Sequence, residues 1–163
     1  LHDALPISLF YANKLIDSGI DPLILARRLI AHASEDIGMA DSNALLLAVS
    51  AHYAIEHLGL PEGNIPLTHA IIYACEANKS NSVVRALNKV QEDVENTKTI
   101  TIPNNLKNHP SINKDGTGEY KYPHDYGGYV YQQYLPNELK DKEYYIPSNN
   151  GKEKGLIRKK VKK

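Results

Sequence analysis

Residues 64–94 read NIPLTHAIIYACEANKSNSVVRALNKVQEDV, and the spacing of their apolar side chains decides the fold class. Leu67, Ala70, Ile71 and Ala74 recur at i, i+3, i+4 and i+7, which predicts a helix over about 65–77. Asn78-Lys79-Ser80-Asn81 then breaks the pattern. Ser80 or Asn81 starts a second helix, on which Val83, Leu87, Val90 and Val94 fall at i, i+4, i+7 and i+11, the expected core stripe. No two-residue alternation interrupts either run. The unit is a pair of helices joined by a polar turn, and it points to an all-α chain.

Upstream, the same pattern repeats. Segment 9–18 is apolar at Leu9, Ala12, Leu15 and Ile16, with Gly19 as its stop. Asp21-Pro22 supplies an N-cap and a proline at the first helical position. The helix that follows runs to about Ile37, with Leu23, Ala26, Ile30, Ala33 and Ile37 on one stripe and Gly38 ending it. Asp41 or Ser42 caps another helix to about Leu58, striped by Leu47, Ala51, Ala54 and Leu58 and apolar on its flanks as well. Gly59, Pro61 and Gly63 turn the chain. Short turns between helices favour antiparallel neighbours, hence a bundle over residues 9–98.

Downstream of Thr97 the pattern changes. Residues 99–150 are rich in Tyr, Asn, Pro and Gly, and eight of the 11 tyrosines lie between Tyr120 and Tyr145. The segment is irregular, with a short helix or strand at Tyr129–Tyr134 and a helical turn at Asn137–Lys140. Its rings are expected to dock on the bundle as part of the same domain. Residues 151–163 form a basic tail, read as a final helix. The first eight residues, LHDALPIS, have no helical or strand period and read as a non-native scar. The chain accordingly reads as a fragment whose N-terminal part is missing.

With 163 residues the chain suits one domain with a core of its own. No stretch approaches the roughly 20 apolar residues of a membrane helix. The lone Cys75 excludes an internal disulfide framework and fits a reducing cytoplasm. The net charge of zero hides an asymmetry: residues 1–151 carry 12 basic and 18 acidic side chains, and 152–163 carry seven basic and one acidic.

None of the phosphate-loop, dinucleotide, nucleophile-elbow or zincin motifs occurs, so no catalytic or cofactor-binding residue is assigned. His52 and Glu56 share a helical face, but two groups without a C-x-x-C are not a metal site, and an ion pair is the favoured reading. His32, Glu35 and Asp36 are expected to pair locally or with Arg27 and Arg28. Cys75 sits on a packed helix and reads as core. His124-Asp125 reads as loop scaffolding, with Gly127-Gly128 supplying positive φ. Lys154, Arg158, Lys159, Lys160, Lys162 and Lys163 are the candidate DNA contacts.

Three separated stretches resemble one family. Ala26-Arg27-Arg28-Leu29 running into Ala33-Ser34-Glu35-Asp36-Ile37-Gly38-Met39-Ala40-Asp41 is similar to its first signature. Lys79-Ser80-Asn81 is similar to its KSN motif. Tyr120-Lys121-Tyr122-Pro123-His124-Asp125-Tyr126, with Gln132-Gln133-Tyr134-Leu135-Pro136 beyond it, is similar to its third. The family is the replication-associated recombination protein A (MgsA) group of AAA+ ATPases, related to the Werner-helicase-interacting ATPase.

The resemblance implies an all-helical C-terminal domain like those following the AAA+ modules of clamp-loader subunits. It implies a homotetramer from a bacterial, cytoplasmic, nucleoid-associated protein of DNA replication and repair at stalled forks. ATP and magnesium would belong to an N-terminal module outside this chain, so the fragment itself is not an enzyme while its parent is an ATPase. The competing reading from the residues is an autonomous, non-sequence-specific nucleic-acid-binding domain using the basic tail and the tyrosines.

Overall fold

A computed structural model describes residues 4–98, 101–108 and 118–156. Among them the chain is helical, with no strand. It gathers into two compact units, the first built from residues up to Lys89 together with Tyr144 onward, the second from Val90–Glu143.

The first unit holds α1 (Ala4–Asp17), α2 (Pro22–His32), α3 (Asn43–Leu58), α4 (Asn64–Glu76) and the start of α5 (Ser82–Asn96). Asp21 caps α2 as its spacing predicts, its carboxylate accepting from the Leu23 N–H at 2.9 Å with Pro22 at the first helical position. The helix continues as a π turn over Ala33–Ile37 and stops at Gly38, whose φ of +50° suits glycine. On α4 the buried residues are Leu67, Ala70, Ile71 and Ala74, the four read from the sequence. The extensive helix pairings are α3 with α4, α2 with α3 and α1 with α4.

Among the described residues eight of the 12 buried apolar ones are alanines, including Ala26, Ala44, Ala48 and Ala51. A seam of methyl groups lets helices approach closely but removes little apolar area from water per residue. Ile37, Ile55, Leu67 and Ile71 are the large side chains inside. Around them pack the half-buried Leu9, Leu23, Leu25 and Leu29.

Four expectations need correction. Helix α1 begins at Ala4, so residues 4–8, read as periodless scar, form its first turns. On α3 the buried row is Ala44, Ala48, Ala51 and Ile55, and Leu58 is exposed. A helix apolar on several faces seats the row that allows closest approach, and here that row is alanine. The α5 stripe is not core: Leu87 is 54% and Val94 65% exposed. Periodicity identifies an apolar face but not what covers it, and α5 takes part in none of the extensive pairings. Finally, Tyr129–Tyr134 is neither helix nor strand, and Tyr120, Tyr122, Tyr126, Tyr129, Tyr131 and Tyr134 are exposed.

The second unit is organised by the Gln132 amide. Its Nε2 donates to the Lys121 carbonyl at 2.7 Å, and its Oε1 accepts from the Lys121 N–H at 3.0 Å. The side chain thereby imitates a peptide in a two-bond bridge. The same Nε2 donates to the Tyr134 hydroxyl, and Asn105 Nδ2 donates to Oε1. Gln133 Nε2 donates to the Leu135 carbonyl and to Asn137 Oδ1, fixing the short 3₁₀ turn Asn137–Leu139 near the expected place. Lys142 pairs with Asp93 at 2.8 Å.

The alanine seam and the exposed stripe give opposite mutational signatures. Ala48→Leu should overpack the α3 seam and cost about 1–3 kcal/mol. In the monomeric chain Leu87→Ala should cost about 1 kcal/mol or less, far below the ~2–5 kcal/mol of a core leucine. Urea unfolding midpoints of the two variants check the assignment.

Candidate functional site

Asp36, Lys79, Ser80 and Asn81 of the motifs meet where α4 ends and α5 begins. Lys79 follows the last turn of α4 and folds back on it. Its ammonium donates to the carbonyls of Ala74 (2.7 Å), Cys75 (3.2 Å) and Ala77 (2.6 Å). These are carbonyls a helix end leaves without partners, and a cation there also suits the helix dipole. The Ser80 N–H donates to the Asp36 carbonyl at 2.7 Å, stitching this turn to the π turn. The KSN motif and the first signature thus meet through backbone.

At the centre lies Glu153, fully buried on a 3₁₀ turn, Gly151–Gly155. Its Oε1 accepts from the Ser82 hydroxyl and, at 2.8 Å, from the Tyr145 hydroxyl. Its Oε2 accepts from the Ser148 hydroxyl and, at 3.2 Å, from the Ser148 N–H. Burial acts to raise the carboxyl's pKa, but hydrogen bonds from Ser148, Ser80, Ser82 and Tyr145 outweigh it and hold it at about 2.

Neighbouring bonds clamp the same turn. Asn150 Nδ2 donates to the Lys79 carbonyl at 3.0 Å. Lys152 pairs with Asp41 at 2.7 Å, and the Tyr73 hydroxyl donates to the other Asp41 oxygen at 2.7 Å. Burial works against the Asp41 carboxylate, yet these bonds bring its pKa below the ordinary value, and the partnership raises that of Lys152. Gly151 (φ +50°) is obligatory here, since a Cβ would stand 2.5 Å from the Ala40 carbonyl oxygen and 2.9 Å from Asn78 Cβ.

The sequence-derived candidates fall into three sets. Asp36, Lys79, Ser80 and Asn81 come together, lining with His32, Ser148 and Asn150 a polar cleft of about 470 Å³. His32 Nδ1 lies 2.6 Å from Asp36, the local pair expected. Arg27, Arg28 and Glu35 are exposed on α2 and its extension, with Ser34 half-buried. Tyr122, His124, Asp125, Tyr126, Gln132, Gln133 and Tyr134 belong to the second unit. There Pro123–Tyr126 is a 3₁₀ turn with His124 packed obliquely on Tyr122 at 5.0 Å, and Gly127 and Gly128 have positive φ. Of the tail cations, Lys154 is exposed on the short 3₁₀ turn. Arg158, Lys159, Lys160, Lys162 and Lys163, like most of the expected final helix, lie outside the described residues.

His57, beside the proposed His52–Glu56 face, stacks on Tyr53 at 3.8 Å. No cluster of three or more His, Cys, Asp or Glu groups that could hold a metal occurs among the described residues. Cys75 is half-buried, packs against the core cluster of Ala26, Ile55, Leu67 and Ile71, and borders a cavity.

Sequence reasoning missed Glu153, together with Ser82, Tyr145 and Ser148. The available signal was a single acid inside a run of bases, where a solvated tail has no use for one.

These features define a class: an all-helical domain whose motif residues serve a polar structural junction. The chain belongs to the MgsA AAA+ ATPase C-terminal family, whose model matches residues 4–163. It is 41% identical over 149 residues to Replication-associated recombination protein A of Bacillus subtilis, covering 89% of this chain and 35% of that protein. The protein of the same name from Escherichia coli is 35% identical over 151 residues, covering 90% and 34%. ATPase WRNIP1 of Dictyostelium discoideum is 35% identical over 141 residues, covering 83% and 16%. The chain therefore spans about a third of the bacterial relatives' length. No helix among the described residues is long and apolar enough to cross a membrane.

Removing the buried carboxylate strands the donors of Ser82, Tyr145 and Ser148. Glu153→Ala should cost about 3 kcal/mol or more, because each buried donor left without an acceptor costs about 1–3 kcal/mol. Because its folded pKa lies below the ordinary 4.5, its stabilisation is complete above that value and is lost as pH falls toward about 2. Unfolding midpoints measured from pH 6 to pH 2 should fall through this window in the wild type and fall less in Glu153→Ala.

Proposed function

We propose that this chain is the self-association domain of an AAA+ ATPase acting in replication-associated recombination, and that it assembles as a homotetramer. The observation that carries the reading is the inversion of apolar size across the fold. Alanines fill the interior, while Leu46, Val49 and Tyr53 on α3 and Leu87 on α5 stand at least 49% exposed. Such faces mark association surfaces, and subunit contact would supply the burial the alanine core does not. ATP and magnesium chemistry belongs, in this reading, to a module outside this chain. Bacterial relatives named for replication-associated recombination support a cytoplasmic setting beside the nucleoid. In the same reading the helical domain has a clamp-loader-like role as the hub of a larger ATPase.

Light scattering at micromolar concentration should give a tetramer's mass. Leu46→Glu with Tyr53→Glu should lower it to monomer while leaving the helical circular dichroism unchanged. A monomeric wild type would overturn the reading for the isolated domain.

The exposed tyrosines favour one second reading, non-specific binding of single-stranded DNA by stacking, aided by the basic run. If about four phosphates are neutralised, log K should fall against log salt with a slope of about −3 to −4. The informative truncation removes 156–163 and spares Glu153, because deletion from 152 would also break the junction. Salt-sensitive DNA binding should disappear with those residues. Unchanged binding would move the contact to the tyrosines.

A further inference from the structure

The outward row of α3 has a chemistry of its own. Leu46, Val49, Ser50, Tyr53 and His57 fall on one helical face, and all five are exposed. No Asp, Glu, Lys or Arg occurs from Ser42 to Ile55. Ser50 and His57 spend their donors on the helix itself. The Ser50 hydroxyl donates to the Leu46 carbonyl at 2.8 Å, and His57 Nδ1 lies 2.9 Å from the Tyr53 carbonyl. A carbonyl can only accept, so Nδ1 carries the hydrogen and, in the neutral ring, Nε2 keeps the lone pair. The imidazole lies stacked on Tyr53, with ring centroids 3.8 Å apart and planes 22° from parallel. With the ring neutral, the row is an uncharged and largely apolar strip. Such a strip has no charge with which to select an unlike surface, and it suits the same strip on a second copy.

His57 is the one member of the row whose side-chain class changes charge between about pH 5 and 8. Its titratable neighbours on α3 are His52, Tyr53 and Glu56, and the following turn carries Glu62. Of the elements packed on α3, α4 brings His69, Tyr73, Cys75 and Glu76, α2 brings Arg27, Arg28 and His32, and the π turn brings Glu35 and Asp36. None of the ion pairs among the described residues involves His57.

We propose, resting on the self-association reading, that His57 makes this assembly pH-dependent: copies join through α3 while the ring is neutral and separate as Nε2 takes up a proton. A charged imidazolium buried in a subunit contact loses its water and finds no carboxylate on the row. In a contact between identical rows it also meets its counterpart, a like charge. Proton uptake and assembly therefore oppose each other, and by linkage self-association weakens as pH falls.

Sedimentation equilibrium of the whole chain at pH 7.5 and pH 5.5, at one ionic strength, gives the ratio of the two dissociation constants. The Glu153 carboxyl, held at about 2, stays ionised over this interval, so helical circular dichroism should not change. Wild type should associate at least tenfold more weakly at pH 5.5. In His57→Gln that ratio should shrink below twofold, whatever the variant's absolute affinity, while His52→Gln should keep the wild-type ratio. His57→Lys, charged at both pH values, should be dissociated at both. A wild type that assembles equally at the two pH values, or more tightly at pH 5.5, overturns the pH switch and leaves the self-association reading standing. A ratio that survives His57→Gln does the same. A wild type that is monomeric at pH 7.5 overturns both.

Discussion

A buried carboxylate is expensive unless its oxygens are fully satisfied, and the junction around Glu153 is built to that requirement. Ser82 contributes from the first residue of α5, and Tyr145 and Ser148 contribute from the returning segment. Removing any one leaves a charge short of partners in a dry site. The constraint propagates outward. For Glu153 to reach Ser82, the turn must pass against Ala40 and Asn78, which requires Gly151. For the end of α4 to present its polar turn there, Lys79 must cap the helix. Of the sequence signatures on which the family resemblance rests, the Lys79-Ser80-Asn81 turn and the Asp36 carbonyl are parts of this device.

The apolar side of the fold follows a different logic. An interior of alanines sets helices close together and fixes their geometry, but it leaves long side chains with nowhere to go inside. Leu46, Tyr53 and Leu87 point to water in the single chain. The domain has a well-defined shape and an unfinished hydrophobic inventory, a condition suited to a part that works inside an assembly.

How much of this was legible depended on whether the information was local. The five helices, the Asp21 cap, the Gly38 stop and the four core residues of α4 follow from spacing and turn chemistry. The buried row of α3 did not, because several of its faces are apolar and only the neighbours decide which one packs. The α5 stripe was recognised as a face and misplaced as core for the same reason. The partners of Glu153 were hidden because they lie up to 71 residues away and include ordinary serines. The bridge between Gln132 and Lys121 was equally hidden, since a side chain that imitates a peptide leaves no periodic trace.

The 71-residue separation between Ser82 and Glu153 also orders events in time. Helices α1 to α4 are close in sequence and can pack as they leave the ribosome, since local contacts close short loops. The start of α5 cannot be locked until the last tenth of the chain has emerged. At roughly 5–20 residues per second, the stretch between those two residues takes several seconds to synthesise. During that interval the nascent bundle carries an exposed amphipathic helix with an unmet hydroxyl at its head. The domain passes through that form before its own C-terminal turn closes it.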